Sequence, residues 1–412
     1  MKTEKWFSFF QKLSGWEKIL LAILVLIFIT PAACLILHSM GISIVHHQIN
    51  VLYMFAIFLI SNIFIFTGRK NDVLAIIPFT FFLFFFVSYL GSFRNYFYPP
   101  NDFVSFFGSF LSITIAPFVS VFIINYSRKK SNINLFYKLL ALFGLIIAFV
   151  NIIFFVLLYS GGYALIYSYT EFIGLGDYLK DLGSFFVRPA GYFYDYHSQY
   201  YLPLITLFLI YTKKVQVKKE WRSFLMVILA LSILLSGVKS AYITLVACII
   251  YLMIRNVSFV NLIRYLLTLF LFFFIADYFL DSFFYELGYK IITHDINIIL
   301  EHFSEVPVLL YEKYTSVFFL GGQVDFQNHI YSEVYYITMI YCLGIFGVFI
   351  FFIFPILFLW FKSNDRFIKL LTIIFGLSLF HYYVFKIGIN LFGTALFYYY
   401  FLNKLFFKIK SE

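Results

Sequence analysis

Apolar runs of bilayer length recur along this chain, and they limit what it can fold into more than any other feature. The stretch 136–159, FYKLLALFGLIIAFVNIIFFVLLY, holds one charged residue, Lys138. A backbone crossing hydrocarbon must satisfy its own N–H and C=O groups, which a helix of about 20 residues achieves and an open strand does not. Runs of this kind cover 19–37, 50–67, 73–90, 103–125, 136–159, 199–212, 222–236, 239–254, 259–276, 335–361, 367–385 and 388–403. Two of them, 199–212 and 222–236, need flanking residues to span. The run 335–361 is long enough to begin as a helix above the membrane before entering it. Composition agrees: 63% of the 412 residues are hydrophobic and only 12% are charged, against about a quarter charged in a soluble domain. The expectation is an all-α polytopic membrane protein of about 12 transmembrane helices, one integral membrane domain over 1–412.

Charge gives the orientation. With the N-terminus inside and the spans alternating, both termini are cytoplasmic. The inside segments then hold 23 of the 30 basic residues but 6 of the 20 acidic ones. Among them are Arg69, Lys70, Arg128, Lys129, the run KKVQVKKEWR at 213–222, Arg255, Arg264, Lys362, Arg366, Lys369 and Lys404. Cytoplasmic loops carry such a Lys/Arg excess. The same excess explains the pI of about 9.2 without a nucleic-acid partner. Two external loops are long, 160–198 and 277–334. In the second, DINIILEHFSEVPVLLYEKY shows apolar residues at helical spacing with Glu and His between them, which predicts short amphipathic helices over the membrane face. The N-terminal KWFSFFQKLSGWEK fits a helix in the cytoplasmic headgroup layer. TPAAC at 30–34 is not a lipoprotein cleavage box, because Pro31 stands where an aliphatic residue belongs. Cys34, Cys248 and Cys342 lie far apart inside apolar runs and read as packing residues. No internal repeat is visible.

Ionisable residues at span ends on one face mark candidate chemistry. Three stretches carry them, all external by the charge argument. The first is RPAGYFYDYHSQYY, 188–201. Pro189 and Gly191 turn the chain there. Arg188 offers a permanent charge and a bidentate fork suited to phosphate; it is equally suited to pairing with Asp181 or Asp195, or to reaching lipid headgroups. The second is LSGVKSAYITL, 235–245, a short turn with Lys239 between Ser236 and Ser240. Lys239 is either a second cation for the same ligand or a headgroup-level lysine at a hairpin tip. The third is GGQVDFQNHIYSEVYY, 321–336, with Asp325, Asn328, His329 and Glu333. His329 and Glu333 are four apart and share a face if helical. A carboxylate beside an imidazole raises its basicity, as a general base requires; the other reading is a His bonded to a backbone carbonyl. No further ligands have metal spacing around His329, so no metal is expected. His46 and His47 lie in a short external loop without a sequence partner. His294, His302 and Glu305 read as the wet face of the amphipathic segment. His381 and Lys386 sit at an external helix end.

Together, in this order and on one side of the membrane, the three stretches resemble the O-antigen ligase and polymerase superfamily. Arg188, Gly191 and Phe193 resemble its Arg-x-x-Gly-x-Phe segment; Lys239, Ser240 and Ala241 resemble its Ser-(Arg/Lys)-Ser/Thr-Ala turn. His329 followed by Gly344 and Gly347 resembles its external histidine before a Gly-x-x-Gly helix. Lysine stands where that turn often has arginine, and the gap from His329 to Gly344 is about one helical turn longer than the pattern. The motifs cover roughly 185 to 350, and the rest matches by topology.

The resemblance implies a polysaccharide repeat-unit polymerase in the bacterial inner membrane, with its active site on the periplasmic side. Its donor would be an undecaprenyl-diphosphate-linked oligosaccharide, with no cofactor, no metal and no nucleic acid. Partners would be membrane lipids, a chain-length regulator and a flippase. In this assignment Arg188 and Lys239 hold the diphosphate and His329 is the base, with Asp195 and Glu333 next. Tyr194, Tyr196, His197, Ser240 and Asn328 contact substrate. Tyrosines 163, 167, 169, 192, 194, 196, 200 and 201 are available to stack on sugar faces. A ligase transferring glycan to lipid A-core, a flippase or exporter of the same lipid, and a non-catalytic scaffold are the alternatives. A flippase needs cations deep within the spans, whereas here they gather at span ends.

Overall fold

The computed structural model describes residues 130–159, 198–236, 238–256, 315–321, 335–380 and 390–407, with isolated positions elsewhere. The described residues are mostly helical, and no strand occurs among them. In order come α1 (Lys130–Tyr159), α2 (Ser198–Tyr211), α3 (Lys219–Leu235), α4 (Lys239–Asn256), the short α5 (Thr315–Leu320) and α6 (Tyr335–Val348). A π-helical turn, Phe349–Ile353, joins α6 to α7 (Phe354–Lys362), and α8 (Arg366–Ser378) and α9 (Asn390–Leu402) follow. Apart from α5, which falls in the external loop 277–334, these helices lie in the apolar runs. In the run 367–385 the chain is helical to Ser378 and turns at 379–380, and 381–385 lie outside the described residues. In the predicted amphipathic segment, Asn297, Leu300, Val308, Tyr311 and Glu312 are helical.

Two helical stretches, Phe136–Leu157 and Leu343–Lys362, are long and apolar enough to cross a membrane by length and composition. Their surfaces agree. Phe346, Ile350, Leu357 and Phe361 are exposed along the second, and Phe149, Ile153 and Val156 along the first. Stripes of large exposed apolar side chains at helical spacing face lipid comfortably and water poorly.

Packing uses small residues and buried hydroxyls where helices approach. A Cβ on Gly144 of α1 would sit 2.0 Å from the Thr206 hydroxyl oxygen of α2, so only glycine allows this approach. Thr206 Oγ1 donates to the Leu140 carbonyl at 3.2 Å. Gly393 of α9 plays the same part against Tyr201 and Ile205 of α2. Asn151 Nδ2 of α1 donates to Ser232 Oγ of α3 at 3.3 Å. Between them lies an aromatic core in which Phe375 of α8 stacks on Phe397 of α9, ring centroids 3.8 Å apart, and on Phe352 at 6.3 Å. Cys248 is a free, buried thiol.

Within α6 the helix breaks at Gly344, whose φ of 67° and ψ of 171° lie in a region essentially restricted to glycine. The last turn of α5 sits against the break: a Cβ on Gly344 would be 2.2 Å from the Phe319 carbonyl oxygen. The Phe319 ring stacks on Phe346 at 5.6 Å, and Gly321, with φ 74°, ends α5. The break redirects the chain. Phe352 stacks on Phe375, and an unbroken helix would put Tyr336 about 24 Å beyond that contact. Instead the Tyr336 hydroxyl donates to the carbonyl of Gly376, the residue next to Phe375, at 3.2 Å. The segment before Gly344 therefore departs from the axis of the helix that follows and reaches the end of α8 through Tyr336, with Ile337, Met339, Ile340 and Leu343 buried. The long run 335–361 is thus two helical segments divided at Gly344, the second of them within the candidate span Leu343–Lys362.

Candidate functional site

The described helices have two unlike ends. One gathers the end of α2, the starts of α3 and α8, and the ends of α4, α7 and α9. Asp365 caps α8, accepting from the Phe367 and Ile368 N–H groups at 2.8 and 3.4 Å. It also pairs with Lys214 at 2.7 Å. Arg222 donates to the Tyr211 carbonyl. Arg255 donates to the Asn364 carbonyl at 3.0 Å and to the Tyr251 hydroxyl at 2.7 Å. Lys404 donates to the Lys362 carbonyl at 3.1 Å. Partial burial draws the Lys404 ammonium below the ordinary lysine range, and the charge of Asp365 opposes that shift. Lys369 lies 4.7 Å from the centre of the Trp360 ring, a cation–π contact. Cations at helix C-termini are favoured by the orphan carbonyls and by the helix dipole. This end is built from such pairs.

The opposite end gathers the start of α2, the turn between α3 and α4, the start of α6 and the last turn of α8. Ser240 Oγ donates to Tyr200 Oη at 3.1 Å, and Tyr200 Oη donates to Ser378 Oγ at 3.4 Å. Tyr336 reaches Gly376 on the same turn of α8, and its ring meets Phe380 edge-on at 5.1 Å. Ser236 Oγ donates to the Ile233 carbonyl at 2.6 Å and accepts from the Val238 N–H at 3.4 Å. The Tyr242 hydroxyl donates back to the Leu234 carbonyl across the same hairpin. The turn that reaches Lys239 is therefore held at both sides.

Of the residues expected from sequence to form the site, Ser240 is placed in full and is buried. Lys239 opens α4. Arg188, Tyr194, Asp195, Tyr196, His197, Asn328, His329 and Glu333 lie outside the described residues, as do His46, His47, His294, His302, Glu305, His381 and Lys386. What the structure brings together is the chain that adjoins them. Tyr200 and Tyr201 end the first stretch, Ser240 lies within the second, and Tyr336 ends the third; Tyr200, Ser240 and Tyr336 all reach the neighbourhood of Gly376 and Ser378. One expectation is corrected. Tyr200 and Tyr201 are fully buried within α2, Tyr201 contacting Thr394 at 3.5 Å. Neither presents a face to a sugar. The last turn of α8 was not foreseen as a meeting point, because GLS at 376–378 carries no ionisable group.

No group of three or more His, Cys, Asp or Glu able to hold a metal occurs among the described residues. No family model, curated protein or solved structure matches the chain.

Proposed function

We propose that this chain is a polysaccharide repeat-unit polymerase of the bacterial inner membrane, with about 12 spans, cytoplasmic termini and an active site on the periplasmic side. It joins undecaprenyl-diphosphate-linked glycans. A hydroxyl of the acceptor attacks the anomeric carbon of the donor glycan, and the bond to the lipid diphosphate breaks, its electron pair leaving with the diphosphate. The proton of the attacking hydroxyl passes to a base, the His329 imidazole by first assignment, with the carboxylates of Asp195 and Glu333 next. Arg188 and Lys239 neutralise the departing diphosphate, where fixed cations stabilise developing charge.

One observation supports this reading above the others. Three stretches far apart in sequence, each carrying polar or ionisable residues, adjoin helix ends that meet at the last turn of α8. A scaffold has no need of that convergence. The described spans also carry their charged residues near helix ends rather than midway, which favours a transferase over a flippase.

The test is deletion of the chain, read on a surface-glycan gel. A polymerase deletion keeps single repeat units on the acceptor and loses the ladder. A ligase deletion loses all surface glycan while lipid-linked polymer accumulates outside, and a flippase deletion traps the repeat on the cytoplasmic side. Complementation with Arg188→Ala reproduces the polymerase pattern at normal protein abundance. An intact ladder removes Arg188 from the mechanism.

A further inference from the structure

We infer that Tyr200 is a positioning residue, whose hydroxyl locks the turn reaching Lys239 against the helix that follows the Arg188 stretch. The inference deepens the proposed function and rests on it.

The geometry is that of a buried relay of three hydroxyls on three helices. Ser240 donates to Tyr200 at 3.1 Å and Tyr200 donates onward to Ser378 at 3.4 Å. Tyr200 and Ser378 are each 0% exposed and Ser240 is 5% exposed. A phenylalanine would fill the space of the Tyr200 ring with equal apolar contact. The hydroxyl therefore adds no packing, and its burial is tolerable only because it is bonded. What it adds is a fixed distance. Tyr200 lies twelve residues after Arg188, and Ser240 follows Lys239 directly. The pair thus joins the two chain segments that carry the cations assigned to the diphosphate. Ser378 ties both to the turn of α8 that also receives Tyr336. Site precision depends on such supporting hydrogen bonds, because a small misplacement of a binding group weakens it sharply.

The companion features leave Tyr200 as the informative position. Tyr242 and Ser236 tie the α3–α4 hairpin to itself, through Leu234 and Ile233. The Ser240–Tyr200 bond crosses from that hairpin to α2.

The experiment measures binding of undecaprenyl diphosphate, without glycan, to the full-length protein in lipid nanodiscs. Four variants are compared: Tyr200→Phe, Ser240→Ala, the double variant, and Ser240→Thr. Tyr200→Phe and Ser240→Ala each weaken binding about 3- to 10-fold, the range of one lost neutral hydrogen bond. The double variant is no weaker than Tyr200→Phe alone, since that change already removes the bond from Ser240 as well as the bond to Ser378. Ser240→Thr, which keeps the hydroxyl, restores wild-type affinity. Thermal unfolding of all four stays within a few degrees of wild type, so a fold defect is not the cause. If wild type binds and Tyr200→Phe binds equally well, the positioning role is overturned while the proposed function stands. If the effects of the two single variants add, the shared bond is overturned as the cause. If wild type does not bind undecaprenyl diphosphate at all, the proposed function itself falls.

Discussion

The two ends of the described helices are held by opposite chemistry. At one end, Arg222, Arg255 and Lys404 donate to backbone carbonyls near the ends of other helices, and Lys214 joins the carboxylate that caps α8. Those charges complete the helices they touch. At the other end, neutral hydroxyls of Tyr200, Ser240, Ser378 and Tyr336 link helix to helix. The first arrangement uses cations as structural caps and so leaves those four already engaged. The second fixes helix ends without using any charge. The proposed diphosphate site lies at the second end, whose described links use neutral hydroxyls only.

The comparison breaks most readily at Gly344. Gly344→Ala places a Cβ 2.2 Å from the Phe319 carbonyl oxygen and forces an alanine into a glycine-only conformation. The expected cost is about 3 kcal/mol. The melting temperature of the detergent-extracted protein then falls well below that of the wild type, and its size-exclusion profile broadens. An unchanged profile and melting temperature means that the break does not hold the hydroxyl end together.

Asp365→Ala tests the charged end and has the next largest effect. It removes the cap of α8 and the Lys214 pair together, about 1 to 2 kcal/mol. Asp365→Asn keeps an N-cap acceptor and loses less. Equal losses in the two variants, by thermal unfolding, assign the whole effect to charge rather than capping.

Arg255→Met sharpens the same end at smaller scale. Its bonds to Asn364 and Tyr251 are exposed, so the expected loss is under about 1 kcal/mol. A larger drop in melting temperature shows that the cation does more than cap.

Lys213→Gly has the smallest expected effect and the opposite sign. Lys213 has a φ of 61° in the loop between α2 and α3. Glycine relieves that left-handed strain but frees the unfolded chain, leaving a gain of less than about 1 kcal/mol. A loss of stability shows that the lysine side chain makes a compensating contact.

Much of this was legible in sequence, for reasons that differ by region. Apolar runs near bilayer length located α1 to α4 and α6 to α9, because the hydrocarbon constraint acts on each helix separately. The excess length of 335–361 pointed to a helix that begins before the span, but not to a break at Gly344. The direction of its turn was not legible, since it depends on the contact of Tyr336 with Gly376, forty positions away. Likewise Tyr200 read as one of several interfacial tyrosines. Its burial is set by α4 and α8, which the local pattern YDYHSQYY cannot show. Ser378 and Gly376 were invisible for the same reason: a small residue becomes part of a site only through what packs on it.

The break at Gly344 also bears on how the protein is made. A nascent helix enters the bilayer as one continuous apolar cylinder, and 335–362 is too long for that thickness. The Leu343–Lys362 segment supplies a span by itself. In the proposed twelve-span topology the residues before it lie outside the hydrocarbon. They can reach α8 only after Arg366–Ser378, which is synthesised later, has arrived. The hydroxyl end is therefore assembled after insertion, in a step that waits for the C-terminal helices, and a chain truncated before α8 would carry its spans without that end ever closing.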